Sequence, residues 1–155
     1  MVEAAFLIGF AVLAETACRG MRMSGHEAVL FANDIFYQAF ATRDLEALRE
    51  LWAAEPVVTC IHPGWGPIFG RTAVLESFHA IFNGPNPPDV RCQAARAVLR
   101  GDTAYVLCYE QIDGQFLVAT NIFTRSENQW RMIHHQAGPT ATAPEVTEET
   151  PHAIN

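Results

Sequence analysis

The run TAYVLCYEQIDGQFLVATNIFTRSENQWRMIHHQAG, residues 103–138, decides the fold. Side chains rich in β-branched and aromatic types fill three stretches of it, separated by Asp113-Gly114 and Glu127-Asn128. Such composition marks strands, and a two-residue turn with positive φ at both central positions joins them as hairpins. Asp-Gly suits that turn best, because both residues tolerate left-handed backbone. Strands are expected over residues 103–112, 115–125 and 129–138, with a fourth over 90–100 entering through Gly101-Asp102.

Hairpin geometry then assigns the faces. Closing Asp113-Gly114 tightly pairs Ile112 with Gln115, Val106 with Asn121 and Cys108 with Ala119. Closing Glu127-Asn128 the same way sets Asn121 against His134 and Ala119 against Gln136. One face then carries Ala104, Val106, Cys108, Glu110, Ala119, Asn121, Phe123, Met132, His134 and Gln136. The other carries Tyr105, Leu107, Tyr109, Val118, Thr120, Ile122, Ile133 and His135. Both are largely apolar, whereas an antiparallel sheet in a solvated monomer shows one polar face. The face with small side chains leaves room for helices and a cavity, so it is expected inward. The aromatic face is expected to meet a second copy, making a homodimer through the outer sheet face.

Toward the N-terminus the period changes from two to that of a helix. Ser24-Gly25-His26-Glu27 fits a capping box, followed by Val29, Ala32, Phe36 and Phe40 on one face. Asp44 caps a shorter helix with Leu45, Leu48 and Trp52 aligned, which ends before Pro56. Residues 56–62 read as a strand. Pro63-Gly64-Trp65-Gly66-Pro67 must be a loop, since two Pro and two Gly forbid regular structure. Val74, Phe78 and Ile81 mark a third helix after Gly70, stopped at Asn83-Gly84-Pro85.

A length of 155 residues without a polar linker implies one domain, expected over 23–139. Residues 1–22 are expected as an extension or extra helix, and 140–155 as a flexible tail. The apolar run 4–14 lacks a basic flank and is too short to span a bilayer, so no membrane is expected. Half the residues are apolar and the net charge is −7, with ten scattered cationic side chains. That balance argues against nucleic acid. Four cysteines without C-x-x-C spacing suggest free thiols and a cytoplasmic location rather than a zinc knot or disulfide framework.

The element order resembles the nuclear transport factor two superfamily, shared with ketosteroid isomerases and polyketide cyclases. Phe36-Tyr37-Gln38-Ala39-Phe40 with Asp44, Ile61-His62-Pro63-Gly64 leading to Gly70-Arg71, and Trp130 through His135 look like motifs of its SnoaL-like branch. With Phe78-His79 they also resemble the association domain of calcium/calmodulin-dependent protein kinase type II. The resemblance covers residues 24–139. It implies an α+β, cone-shaped, cystatin-like roll, in which three helices pack on a curved, mainly antiparallel sheet around a pocket. It also implies an Asp base within the sheet, yet the long strands here contain none.

Chemistry must therefore come from other residues. His134 beside Asn121 is the expected pair, because a neutral imidazole held by an amide can accept a proton from a carbon acid. His62, at the end of the first strand, is the third catalytic candidate. Tyr37, Trp52, Trp65, Glu110, Phe123 and Gln136 are expected to line the ligand site. Glu110 is the acid on the inward face, where apolar surroundings disfavour its charged form. His62, His79 and His134 follow no metal-ligand spacing, so no metal is expected. Without a phosphate loop, nucleophile elbow or dinucleotide fingerprint, no cofactor is expected either. Two functions remain: a cofactor-independent isomerase, dehydratase or cyclase acting on a small apolar carbonyl compound, or a non-catalytic homo-oligomeric binding or association domain.

Overall fold

A computed structural model describes residues 24–145. The expected extension over 1–22 and the tail beyond 145 lie outside the described residues. Helix α1, Gly25–Thr42, starts with the anticipated capping box: Ser24 Oγ accepts from Glu27 N–H at 3.2 Å, and Glu27 accepts from Ser24 N–H at 2.7 Å. Arg43, in left-handed backbone, ends it. Asp44 Oδ1 accepts from Ala47 N–H at 2.9 Å and opens α2, Leu45–Leu51. The carbonyls left over at the end of α2 are satisfied from elsewhere. Arg71 donates to Arg49 and Trp52, and Arg131 to Glu50.

Two short strands follow, β1 at Thr59–Ile61 and β2 at Ile68–Phe69, then helix α3 at Arg71–Phe82. The meander is β3 (Arg91–Arg100), β4 (Thr103–Ile112), β5 (Gln115–Ser126) and β6 (Gln129–Pro139). Together they form a six-stranded sheet in the order β2-β1-β6-β5-β4-β3. Every neighbouring pair is antiparallel except β1 with β6, so the sheet is mixed. The short β2 returns antiparallel along β1 across the 62–67 loop, and the parallel β1–β6 pairing is made by the long connection through α3 and the meander.

The β4–β5 register is the expected one, with Ile112 opposite Gln115, Val106 opposite Asn121 and Cys108 opposite Ala119. The β5–β6 register is not. It begins as expected at Ser126 opposite Gln129 and Phe123 opposite Met132, but then slips, so that Ile122 faces His134 and Asn121 faces His135. A β-bulge inserts one extra residue on β6, and side-chain direction beyond it reverses. His135 and Ala137 therefore point inward and are buried. His134 and Gln136 do not, and Gln136 is exposed.

The three helices cover this inward face, and the core lies between the layers. Its centre is aromatic. Phe78 is fully buried, with ring centroids 5.8 Å from Phe36, 6.1 Å from Phe40 and Trp52, 6.2 Å from Phe82 and 4.9 Å from the His62 imidazole. Among the described residues, no helix is long and apolar enough to cross a membrane. Truncating Phe78 to Ala removes the ring that these neighbours share. Urea denaturation of Phe78→Ala should show a loss of about 3–5 kcal/mol; a loss under about 1 kcal/mol would contradict a close-packed centre.

Candidate functional site

A cavity of about 350 Å³ opens between α1, α3, the β1–β2 loop and the inward face of the sheet. Its walls are apolar: Phe36 and Phe40 from α1, Ile81 from α3, and Val90 and Ile112 from the sheet side. Trp65, half exposed, stands at the mouth with its ring 5.0 Å from that of His62. The polar side-chain groups belong to the lining residues Tyr37, His62, Asn86, Glu110 and His135 and to the indole N–H of Trp65.

The floor is organised by Asn121, which is fully buried in the middle of β5. Its Nδ2 donates to Asn33 Oδ1 at 2.8 Å and to the Tyr37 hydroxyl at 3.2 Å, both one helical turn apart on α1. Its Oδ1 is left as acceptor for His135 Nδ1–H at 2.6 Å. This bond selects the tautomer, so His135 Nε2 carries a lone pair. Nε2 has no hydrogen-bond partner among the described residues. It lies 3.9 Å from Glu110 Oε1. The Tyr37 hydroxyl donates to that same Oε1 at 2.8 Å and also sits 3.1 Å from Cys108 Sγ.

His62 is fixed separately. Ser77 Oγ donates to the Val74 carbonyl at 2.7 Å, so it accepts from His62 Nε2–H at 2.8 Å.

Burial sets the charge states. It pushes the Glu110 carboxyl up to about 7, against the Tyr37 hydrogen bond that favours the carboxylate. It pushes His135 down to about 3, with the neighbouring His62 and His134 acting the same way, and His62 down to about 4. At neutral pH the floor therefore holds two neutral imidazoles and one carboxyl near half-ionisation.

Of the expected site residues, the structure brings Tyr37, Glu110, His62 and Trp65 to one cavity, with Asn121 directly behind. His134 is not beside Asn121. The bulge turns it to the opposite face, where Nδ1 meets Thr59 Oγ1 at 2.6 Å. Gln136 is turned out for the same reason. Phe123 and Trp52 are buried in the core rather than on the cavity wall. His62, His79 and His134 lie apart, one in the cavity, one exposed on α3 and one across the sheet. Sequence reasoning placed His135 outside and passed over Asn33 and Ser77. Asn33 had a signal: it is a polar residue one turn before Tyr37 on the buried face of α1.

Comparison with known proteins agrees with this architecture. Residues 29–142 match the SnoaL-like domain family, and the chain belongs to it. A provisionally assigned dehydratase of the NTF2-like family from Streptomyces avermitilis is 32% identical, with a TM-score of 0.68 over 75% of this chain and 96% of that one. A calcium/calmodulin-dependent protein kinase type II association domain, provisionally assigned, from Thiobacillus denitrificans is 30% identical, with a TM-score of 0.63 over 70% and 92% of the two chains. The F-box protein SKIP8 of Arabidopsis thaliana is 29% identical over 112 residues, 71% of this chain. The chain spans about half the length of that curated relative, 48%.

The Glu110 environment is testable through stability. Its folded carboxyl titrates above its unfolded value of 4.5, so the folded state holds the proton more tightly. The stability this contributes is present below about pH 4.5 and is lost as pH rises through about 7. Other titrating groups are common to wild type and Glu110→Gln and cancel in their difference. From pH 5 to pH 8 the variant should gain about 2 to 3 kcal/mol relative to wild type in urea denaturation. A difference independent of pH would show that Glu110 is solvated.

Proposed function

We propose that this SnoaL-like domain binds a small, largely apolar carbonyl compound and catalyses its enolisation, as a cofactor-independent isomerase, dehydratase or cyclase. The observation that carries the proposal is the convergence of Tyr37, Glu110 and His135 at the floor of an otherwise apolar cavity. Proton transfer needs an acid and a base within hydrogen-bond reach of the reacting group, and it is most efficient with a group that titrates near the working pH. His135, rather than His134, supplies the base. Its Nε2 lone pair faces the cavity floor while Asn121 holds the other nitrogen. Glu110 supplies the acid. The substrate α-proton passes to Nε2 as the carboxylic acid gives its proton to the carbonyl oxygen.

The charge balance supports that pairing. Transfer leaves an imidazolium and a carboxylate 3.9 Å apart, an ion pair in a buried site, so neither charge forms alone. Reversal of the two transfers at a different carbon gives isomerisation, and loss of a β-hydroxyl gives dehydration. The likeness to the Streptomyces protein favours the latter chemistry. Unpaired thiols at Cys60, Cys92 and Cys108 support a cytoplasmic location.

A second reading concerns the outer face. Leu107 and Val118, 43% and 45% exposed, lie there beside half-buried Tyr109 and Ile122. Together with the likeness to a kinase association domain, this supports homodimerisation through the sheet. The two readings occupy opposite faces and do not compete.

α-Proton exchange of apolar ketones such as 2-acetylnaphthalene in D₂O, followed by NMR, tests the catalytic reading. Glu110→Gln and His135→Gln should each slow exchange at least about a hundredfold, while His134→Asn should leave it within about twofold. An unchanged rate in Glu110→Gln, or no exchange by wild type, would reject catalysis by this pair. For assembly, sedimentation at micromolar concentration should show a dimer, and Leu107→Arg with Val118→Arg a monomer; a monomeric wild type removes the dimer.

A further inference from the structure

The hydrogens at the cavity floor can be counted one by one. Tyr37 has a single hydroxyl hydrogen and gives it to Glu110 Oε1. His135 gives its ring proton to Asn121 Oδ1, and His62 gives its own to Ser77. Both Asn121 amide hydrogens are engaged, with Asn33 and Tyr37. With Glu110 ionised, the floor offers only acceptors, two carboxylate oxygens and the bare Nε2 of His135, and the remaining donors of the lining, the Asn86 amide and the Trp65 indole, sit at the exposed rim. A ligand oxygen that accepts hydrogen bonds finds a donor at the floor only when Glu110 carries its proton.

The charges around Glu110 point the same way. The chain has no Lys, and among the described residues no Arg lines the cavity. Those arginines are committed elsewhere or exposed: Arg49, Arg91 and Arg125 to surface carboxylates, Arg71 and Arg131 to the end of α2, with Arg43, Arg96 and Arg100 exposed. The titratable groups facing Glu110 are Tyr37 from α1, Cys60 and His62 from β1 and its end, Cys92 from β3, Cys108 from β4 and His135 from β6. None is a cation at neutral pH. A carboxylate or phosphate ligand would meet a like charge with no counter-ion, in a low dielectric.

We infer that the cavity takes an uncharged molecule through a hydrogen-bond-accepting oxygen, and takes it with Glu110 as the carboxylic acid, so that binding draws a proton from solvent. This rests on the reading of the pocket given above but concerns the ligand's charge and the state of Glu110, not turnover. An apolar ligand displaces water from beside Glu110 and brings no positive charge, so ionisation in the complex becomes costlier still. Linkage then requires affinity to fall as pH rises through the range in which the free carboxyl ionises.

Three probes of one shape separate the possibilities: 2-acetylnaphthalene, 2-naphthoate and 2-naphthylmethylamine, titrated against the full chain by fluorescence and calorimetry. The ketone should bind about tenfold more weakly near pH 8 than near pH 6, with net proton uptake measured in buffers of different ionisation enthalpy. Naphthoate should bind at least about tenfold more weakly than the ketone near pH 7. Glu110→Gln, whose amide can donate at any pH, should still bind the ketone, with affinity independent of pH. Naphthoate binding as tightly as the ketone would overturn the inference. So would preference for the amine with affinity rising toward pH 8, a pH-independent ketone affinity in wild type, or no binding of any probe at about 1 mM. A ketone bound with proton uptake but without α-proton exchange would sink the catalytic reading and leave this one standing; exchange accompanied by tight naphthoate binding would do the reverse.

Discussion

The buried amide of Asn121 is the contact on which the site depends. It sits where a polar group is costly unless every hydrogen-bonding valence is met. Meeting them ties three elements together: two bonds reach α1 through Asn33 and Tyr37, and one reaches β6 through His135. The same three bonds set the tautomer of His135. Because the amide nitrogen is occupied by α1, its oxygen must face the imidazole, and the imidazole must present a lone pair to Glu110. Packing of the first helix and the tautomer of His135 are thus one constraint, which no apolar residue at position 121 could impose.

How far this was legible in the sequence differs between levels. The helices were readable because their boundaries carry local chemistry, Ser24 with Glu27 and Asp44 alone, and because Val29, Phe36 and Phe40 keep a helical period. The β4–β5 hairpin was readable because Asp113-Gly114 admits one tight turn, and ten residue pairs follow from it. The site was half legible. Glu110 and Asn121 were assigned to the right face and Tyr37 to the ligand site, while His134 and His135 exchanged places because of the single extra residue on β6. The trace of that bulge is present in the chain. Trp130 and Met132 are buried at even positions and Ala137 at an odd one, with polar Gln136 between, so the alternation changes phase somewhere from 132 to 137. Two adjacent histidines at the break hide it, since either fits either face.

The bulge also has a structural reason. Below it β6 pairs with β5 and meets one residue on its other side, Met132 in a parallel bridge with Trp52, and above it β6 must accept β1 in parallel, Thr59 opposite His134 and Cys60 opposite His135. Cys60 is fully buried on the inward side, so its β6 partner must be buried too. In a parallel ladder, neighbouring residues in register share a face. The β1 strand thus selects His135 for the interior, and a bulge is how β6 satisfies both neighbours. The outward turn of His134 follows, and the Thr59 hydroxyl meets it there.

The sheet buries the Glu110 carboxyl on one face and presents Leu107, Tyr109 and Val118 on the other, a division made by strand parity. Within β4 the assignments alternate one residue at a time: Leu107 out, Cys108 in, Tyr109 out, Glu110 in. The separation of Glu110 from His135 is set by two strand spacings across β5 and by the bulge, not by flexible loops. Rigid elements therefore hold both members of the proposed acid–base pair, while Pro63, Trp65 and Asn86 reach the cavity from loops at its mouth. The mouth is thus built from loops and the floor from strands and α1.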